Sequence, residues 1–249
     1  MVATVLAILA IMDRDWSLSE WDNWWKSTGA RPDEETVDSS HHHHGDEFEG
    51  EDDCYAPRVS DMLKKHRRFV FEEGQSNRVF LTFCGNSLDL KWLAQEGQEV
   101  VGNDFSAYAL EGFLKEHGLE YDTSTVDPFT VYKVRSTHLT LFAGDFYKIY
   151  ADICGGKFDA IWDTGSFQSC AVSDRKTYAR TAASLMKLKC NYLLSITDFG
   201  HKRTWKGPPY LITDEIVEET FGDCMSWKLL DQGAWGPYTE RIILLQLKD

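Results

Sequence analysis

Short runs of consecutive apolar residues alternate along this chain with longer segments in which apolar positions recur every three or four residues. Val79, Phe80, Leu81 and Phe83 form the first clear run, which ends at Cys84-Gly85. Such a run suits a strand buried on both faces. Asn86 or Ser87 can cap the helix that follows, where Leu88, Trp92 and Gln95 share one side with Leu93 and Ala94 beside them. Gly97 stands where a helix ends, and Val100 and Val101 open a second strand with Asp104 at its tip. In such a strand–helix–strand unit the glycine turn and the tip of the second strand face one crevice.

The alternation continues. Ser106 caps a helix that turns Leu110, Phe113 and Leu114 toward the sheet and stops at Gly118. Strands are expected over residues 139–142, 158–162 and 192–196. Asp174 starts a long helix with Tyr178, Ala182 and Leu185 inward, and Thr213 caps one that ends at Gly222. Residues 226–230 and 241–247 read as a terminal strand pair. Upstream, WSLSEWDNWWKST predicts a helix over residues 16–28, with Ser17 and Glu20 at capping-box spacing. Leu18, Trp21 and Trp25 share one of its faces, and Trp24 lies to one side. Strands alternating with helices and closed by a hairpin predict a mainly parallel sheet.

The length of 249 residues fits one α/β domain with insertions. A net charge of −14 disfavours nucleic acid and anionic membranes as partners. Residues 31–53 hold ten Asp and Glu against one Arg, so this segment supplies −9 of that charge. Its low apolar content predicts a disordered insertion. His41 to His44 lie within it, and no ordered metal site is expected because nothing fixes the ligands. Six scattered cysteines without a CxxC pair suit reduced thiols in a cytoplasmic protein. Residues 1–12 are apolar but too short to span a bilayer as a helix, and read as a helix or strand packed on the domain.

The candidate chemistry sits at the strand tips, where ligands of open α/β sheets bind. Gly85 lets a ligand approach the backbone, and Asp104 stands where a carboxylate accepts from a ribose diol. A lone glycine in place of G-x-G-x-x-G disfavours a pyrophosphate and so a dinucleotide, which favours S-adenosyl-L-methionine. Asp145 can accept from an adenine amine and Phe146 can cover the ring, or the two can be an N-cap and a core side chain. Asp163 can orient the cofactor's ammonium or the acceptor, or serve as a turn residue. Trp21 and Trp25 can be core, or a lid whose indole faces attract a sulfonium by roughly 0.5–2 kcal/mol. His201 lies in a basic loop where a solvated histidine is commoner than a general base.

FCGNSLDLKWLAQEGQEVVGNDFS resembles the first cofactor motif of the thiopurine S-methyltransferase family, and KFDAIWDTGSF, SDRKTYARTAASLMK and GPPYLITDEIVEETFG continue the likeness in order. The resemblance covers most of residues 16–30 and 60–249. It implies a Rossmann-like class I S-adenosyl-L-methionine-dependent methyltransferase, a single domain with a seven-stranded sheet and an antiparallel last strand. It implies that the EWDNWW helix closes over the cofactor, that Phe83 and the Asp145–Phe146 loop contact it, and that S-adenosyl-L-homocysteine is the product. Tyr55, Thr164, Pro208 and Pro209 fall at positions facing the methyl acceptor, with Thr164 also near the cofactor and Asp163 the candidate catalytic residue. The family typically shows WDRGA where this chain has Trp162-Asp163-Thr164-Gly165-Ser166. A neutral hydroxyl makes no charge-assisted bond to an anionic heterocycle, which points away from thiopurines. The expected activity is in-line transfer to a small thiol or selenol by a monomer acting on a small molecule. A plant-type halide/thiol methyltransferase and a cofactor-binding relative without turnover are the alternatives.

Overall fold

The computed structural model describes residues 15–28, 58–200 and 206–248. The readings placed on residues 1–12, on the acidic segment 31–53, on Tyr55 and on His201 lie outside them. The apolar runs form one sheet of nine described strands: β1 (Arg78–Leu81), β2 (Glu99–Asp104), β3 (Tyr121–Val126), β4 (Phe129–Val134), β5 (Leu139–Ala143), β6 (Phe158–Thr164), β7 (Met186–Asp198), β8 (Met225–Trp235) and β9 (Tyr238–Leu247). Their order is β3-β4-β5-β2-β1-β6-β7-β9-β8. β5, β2, β1, β6 and β7 are parallel, and β9 runs antiparallel between β7 and β8. The chain moves outward from β1 through β2 to β5, then returns to β6 and moves the other way to β7. The tips of β1 and β6 are therefore the switch point at which a crevice opens.

The helices are α1 (Leu18–Thr28), α2 (Asp61–Lys65), α3 (Leu88–Gln95), α4 (Ala107–Glu116), α5 (Ser166–Ser169), α6 (Arg175–Leu185) and α7 (Asp214–Phe221). Alternation along the strands divides the core. Val79 and Leu81 face Leu90, Leu93, Leu110 and Phe113 of α3 and α4 on one side. Phe80 and Ile161 face Tyr178, Ala182 and Leu185 of α6 and Phe221 of α7 on the other. Each such side chain, fully buried, contributes about 1.5–3 kcal/mol of transfer free energy. Ser87, Ser106 and Thr213 cap α3, α4 and α7 through side-chain oxygens, as their positions predict.

Three features differ from the sequence pattern. The seven-stranded core is extended by the β3–β4 hairpin, in which the central residues of β3 are exposed. An edge strand with little to bury carries almost no hydrophobic signal. α3 buries Asp89, Leu90 and Leu93, while Trp92 is half-buried and Gln95 exposed. The Asp89 carboxylate turns inward to accept from Trp162 Nε1 at 2.8 Å and from the Ser60 amide at 2.8 Å, and this rotates the helix. The last two strands are longer than expected, and β8 carries a bulge between Leu229 and Asp231.

Gly102 lies in the middle of β2, where an added Cβ would meet Cys84 Sγ at 2.8 Å and Leu141 Cδ2 and Leu90 Cδ2 each at 2.9 Å. All three neighbours are buried, so none moves freely. Gly102→Ala is expected to destabilise the fold by about 1–3 kcal/mol, with Cys84→Ala in the same chain recovering part of the loss. Denaturant unfolding of the single and double variants measures both.

Candidate functional site

A cavity of about 330 Å³ opens at the tips of β1, β2, β6 and β7, on the switch point. Phe83 reaches it from the turn after β1, where it holds φ 37°, and Gly85 two residues on holds φ 46°. A left-handed phenylalanine costs on the order of 1–3 kcal/mol, and such strain collects at working sites. The Phe83 ring is braced edge-on against Phe146 at 5.4 Å and Tyr178 at 5.6 Å.

At the β2 tip stands Asp104, 6 % exposed and on the cavity wall. Its Oδ2 accepts from the Gly85 amide at 2.9 Å and its Oδ1 from the Ser106 amide at 2.9 Å. An ionised carboxylate offers about four acceptor positions, so roughly two stay open. Burial pushes the Asp104 carboxyl up to about 6; the two amides hold it down and the charge of Asp22 adds to the rise. Asp163, at the β6 tip, differs. Its Oδ1 accepts from the amides of Ser166 and Phe167 at 3.2 Å each, and its Oδ2 from the hydroxyls of Tyr178 and Tyr192 at 2.6 Å each. It is fully buried and does not line the cavity. Burial raises its pKa and the tyrosine hydroxyls oppose the rise.

The roof is α1. Ser17 and Glu20 form the expected reciprocal cap: the Ser17 amide donates to the Glu20 carboxylate at 2.8 Å and the Glu20 amide to Ser17 Oγ at 3.3 Å. Trp24 and Trp25 are buried against Ala109 of α4. Trp16, Trp21, Trp24 and Trp25 all line the cavity, with Trp16 and Trp21 centroids 4.5 Å apart. The opposite wall is α5 and the chain around Pro209. There Gln168 Nε2 donates to the carbonyls of Thr197 at 2.8 Å and Tyr210 at 3.1 Å, while its Oε1 accepts from the Thr197 amide at 2.7 Å. One buried amide side chain thus ties three wall segments together. Cys170 also lines the wall, with Sγ 3.4 Å from Tyr147 Oη. Burial pushes its thiol up to about 12.

Of the residues expected at the site, Trp21, Trp25, Phe83, Asp104, Thr164 and Pro209 meet at the cavity. Gly85, Asp145, Phe146, Asp163 and Pro208 do not line it. The Gly85 amide is taken by Asp104, so it positions that carboxylate. Phe146 is a core side chain at 2 % exposure, and the next aromatic, Tyr147, faces the cavity. Asp145 accepts from the Tyr147 amide at 3.0 Å as the cap of a short 3-10 turn. Asp163 is corrected from candidate catalyst to buried acceptor hub, because its acceptor positions are already filled by protein donors. Sequence reasoning did not find Trp16, Phe105, Tyr147, Gln168, Cys170, Thr197 or Phe199. Phe105 had a visible signal: an aromatic between a strand-tip acid and a helix cap, 37 % exposed beside the cavity.

Among the described residues no group of His, Cys, Asp and Glu is arranged to hold a metal, and no helix is long and apolar enough to cross a membrane. A family model described as thiopurine S-methyltransferase matches residues 48–235. The chain is 28% identical to a probable thiopurine S-methyltransferase of Danio rerio, over 95% of this chain and 97% of that one. It is 32% identical to the thiopurine S-methyltransferase of Rattus norvegicus, over 69% of this chain and 72% of that one. Among solved structures, a SAM-dependent methyltransferase from Anabaena variabilis superposes with TM-score 0.59 at 17% identity, covering 96% of this chain and 98% of that one. A glycopeptide N-methyltransferase complexed with S-adenosyl-L-methionine superposes with TM-score 0.55 at 13% identity, over 78% of this chain and 96% of that one. At these identities the structural likeness is one of fold.

The Asp163 hub yields a stability test. Tyr192→Phe removes one donor from a buried carboxylate and is expected to cost about 1–3 kcal/mol at pH 7. The sign with pH follows from the raised pKa. A carboxyl whose folded-state pKa lies above its unfolded value contributes stability that is fully present below the unfolded value and is lost as pH rises toward the folded value. Losing a donor raises that value further, so the cost of Tyr192→Phe grows as pH rises through the folded value and is smallest at acid pH. Denaturant melts of both proteins at pH 7 and pH 4 measure the difference.

Proposed function

This chain belongs to the thiopurine S-methyltransferase family of S-adenosyl-L-methionine-dependent methyltransferases, and we propose that its methyl acceptor is a small soft nucleophile, a thiol or selenol, rather than a thiopurine. Its Rossmann-like sheet with an antiparallel β9 is the class I methyltransferase fold. The observation that carries the acceptor reading is the cavity wall itself. It is built mainly of aromatic and small side chains together with Gln168 and the carboxylates of Asp104 and Asp174, with Thr164 at the β6 tip and no Lys or Arg among its described residues. A polarisable sulfur suits such walls, and among the described lining residues an anionic ring finds no charge-assisted partner.

The residues fit the cofactor. The two acceptor positions left on Asp104 suit a ribose diol, Phe105 and Tyr147 offer aromatic faces for adenine, and the four tryptophans suit a cation. When bound, S-adenosyl-L-methionine supplies a methyl group on a positively charged sulfur, and transfer leaves S-adenosyl-L-homocysteine. The protein's part is to align the acceptor and exclude water under α1. A thiolate is nucleophilic without a strong base, which agrees with the occupied state of Asp163. Cys170, its thiol pushed up to about 12, stays protonated and does not compete for the methyl group. The cysteines among the described residues are unpaired, four of them buried, which supports a reducing, cytoplasmic setting.

The assignment of Asp104 is tested by pH. A proton and a ribose diol compete for the same carboxylate, so cofactor affinity is expected to be nearly level above pH 7 and to fall about tenfold between pH 7 and pH 5. In Asp104→Asn the affinity should be lower and the acid limb absent. Calorimetric titration at several pH values measures both, and a flat wild-type profile would refute the assignment.

The acceptor is tested by a panel with purified protein: alkyl and aryl thiols, a thiopurine, bromide and iodide. Thiol methylation with little thiopurine turnover is expected. Methylated halide would favour the halide/thiol reading, and bound cofactor without turnover would favour a relative that has lost its chemistry. Thr164→Arg should raise kcat/KM for the thiopurine relative to a neutral alkyl thiol by about tenfold, or ~1.4 kcal/mol. Efficient thiopurine methylation by the wild type would sink the proposal.

A further inference from the structure

The hydroxyl of Ser106 is shared between two parts of the molecule that lie far apart in sequence. Its Oγ accepts from the Ala109 amide at 3.3 Å, which caps α4. Its one proton goes to Asp22 Oδ1 of α1, at 2.7 Å. The Ser106 amide meanwhile donates to Asp104 Oδ1 at 2.9 Å. Ser106 is 1 % exposed, so its own hydroxyl and amide are shielded from water, while the Asp22 carboxylate is partly exposed. On α1, the other Asp22 oxygen meets Lys26 Nζ at 2.5 Å. A continuous chain of polar contacts therefore runs from the roof helix through one buried residue to the carboxylate on the cavity wall.

We propose that Asp22 and Ser106 form a latch that holds the tryptophan helix shut over the cavity and ties its closure to the occupancy of Asp104. The inference rests on the reading of Asp104 as the cofactor's ribose acceptor. Both are positioning residues; neither touches the reacting atoms. Trp24 and Trp25 hold α1 on α4 by apolar contact, which sets no register along the helix. The Asp22–Ser106 bond is directional and charge-assisted, and it supplies that register. Only a hydroxyl can donate to Asp22 and accept from the Ala109 amide at once. Ligand donors that keep Asp104 ionised also strengthen its bond from the Ser106 amide, which fixes the residue that α1 grips.

The charged and titratable groups around Asp104 are few. Asp22, on α1, is the nearest like charge. Burial alone would raise its pKa, but the bonds from Lys26 and Ser106 outweigh that and keep it ionised. Cys84, in the turn after β1, is a buried thiol pushed well up by burial and by Asp104 itself. Removing the charge at position 22 should therefore lower the Asp104 midpoint.

The test compares wild type, Asp22→Ala, Asp22→Asn, Ser106→Ala and Ser106→Thr with S-adenosyl-L-methionine as the probe. Cofactor dissociation is read by tryptophan fluorescence, α1 opening by amide hydrogen exchange, and affinity as a function of pH. Asp22→Ala and Ser106→Ala are expected to speed dissociation about tenfold and to lose most cofactor-dependent protection of residues 18–28. Ser106→Thr keeps the hydroxyl and should behave as wild type. Asp22→Asn keeps an acceptor but not the charge, so closure should largely persist while the acid limb of binding moves to lower pH. Unchanged dissociation and exchange in both alanine variants would overturn the latch. If one alanine variant does not fold, dissociation and exchange in the other decide alone. Absence of binding by the wild type would instead refute the cofactor reading, which separates the two failures.

Discussion

A carboxylate placed almost out of water must be given donors, and at the tip of β2 that requirement shapes the surrounding structure. Asp104 takes one backbone amide from the turn after β1 and one from the start of α4. To point the Gly85 amide at it, the turn passes through left-handed conformations at Phe83 and Gly85. That turn in turn throws the Phe83 ring into the cavity. The local strain is offset by rings packed around Phe83 and by the two bonds to a buried charge, each stronger than its counterpart in water.

Asp104 and Asp163 sit at strand tips on the two sides of β1, both have raised pKa values, and both answer to the description of a strand-tip acid. What separates them is how much of their acceptor capacity the protein uses. Asp163 is filled by two amides and two tyrosine hydroxyls, and it binds the β6 tip, α5, α6 and β7 into one unit. Asp104 is filled about halfway and borders the cavity. A perturbed pKa marks burial in both cases; unused acceptor positions facing empty space mark the one that can take a ligand.

The two walls of the cavity are built by different means. The α1 side is a stack of indoles held by apolar contact and one buried hydroxyl. The α5 side is held by Gln168, whose side chain completes the backbone bonding of the β7 end and of the chain beyond Pro209.

Periodicity and capping residues were enough to determine the parallel core, the α1 cap at Ser17 and Glu20, the α4 cap at Ser106 and the inward face of α6, because each depends on residues close in sequence. The order of strand-tip motifs was enough to put Asp104 at the tip of β2, where it borders the cavity. β3 escaped notice because an exposed edge strand buries too little to leave an apolar pattern, whereas its partner β4 buries Phe129, Val131, Tyr132 and Val134 and did carry one. Tertiary contacts alone decided the rotation of α3, through a bond from Asp89 to Trp162, 73 residues away. They also decided which of Phe146 and Tyr147 faces the cavity, and which of two similar aspartates is spent on the protein. A residue's type and neighbours state what it can bond to; whether those bonds are already made depends on partners brought close only when the sheet closes.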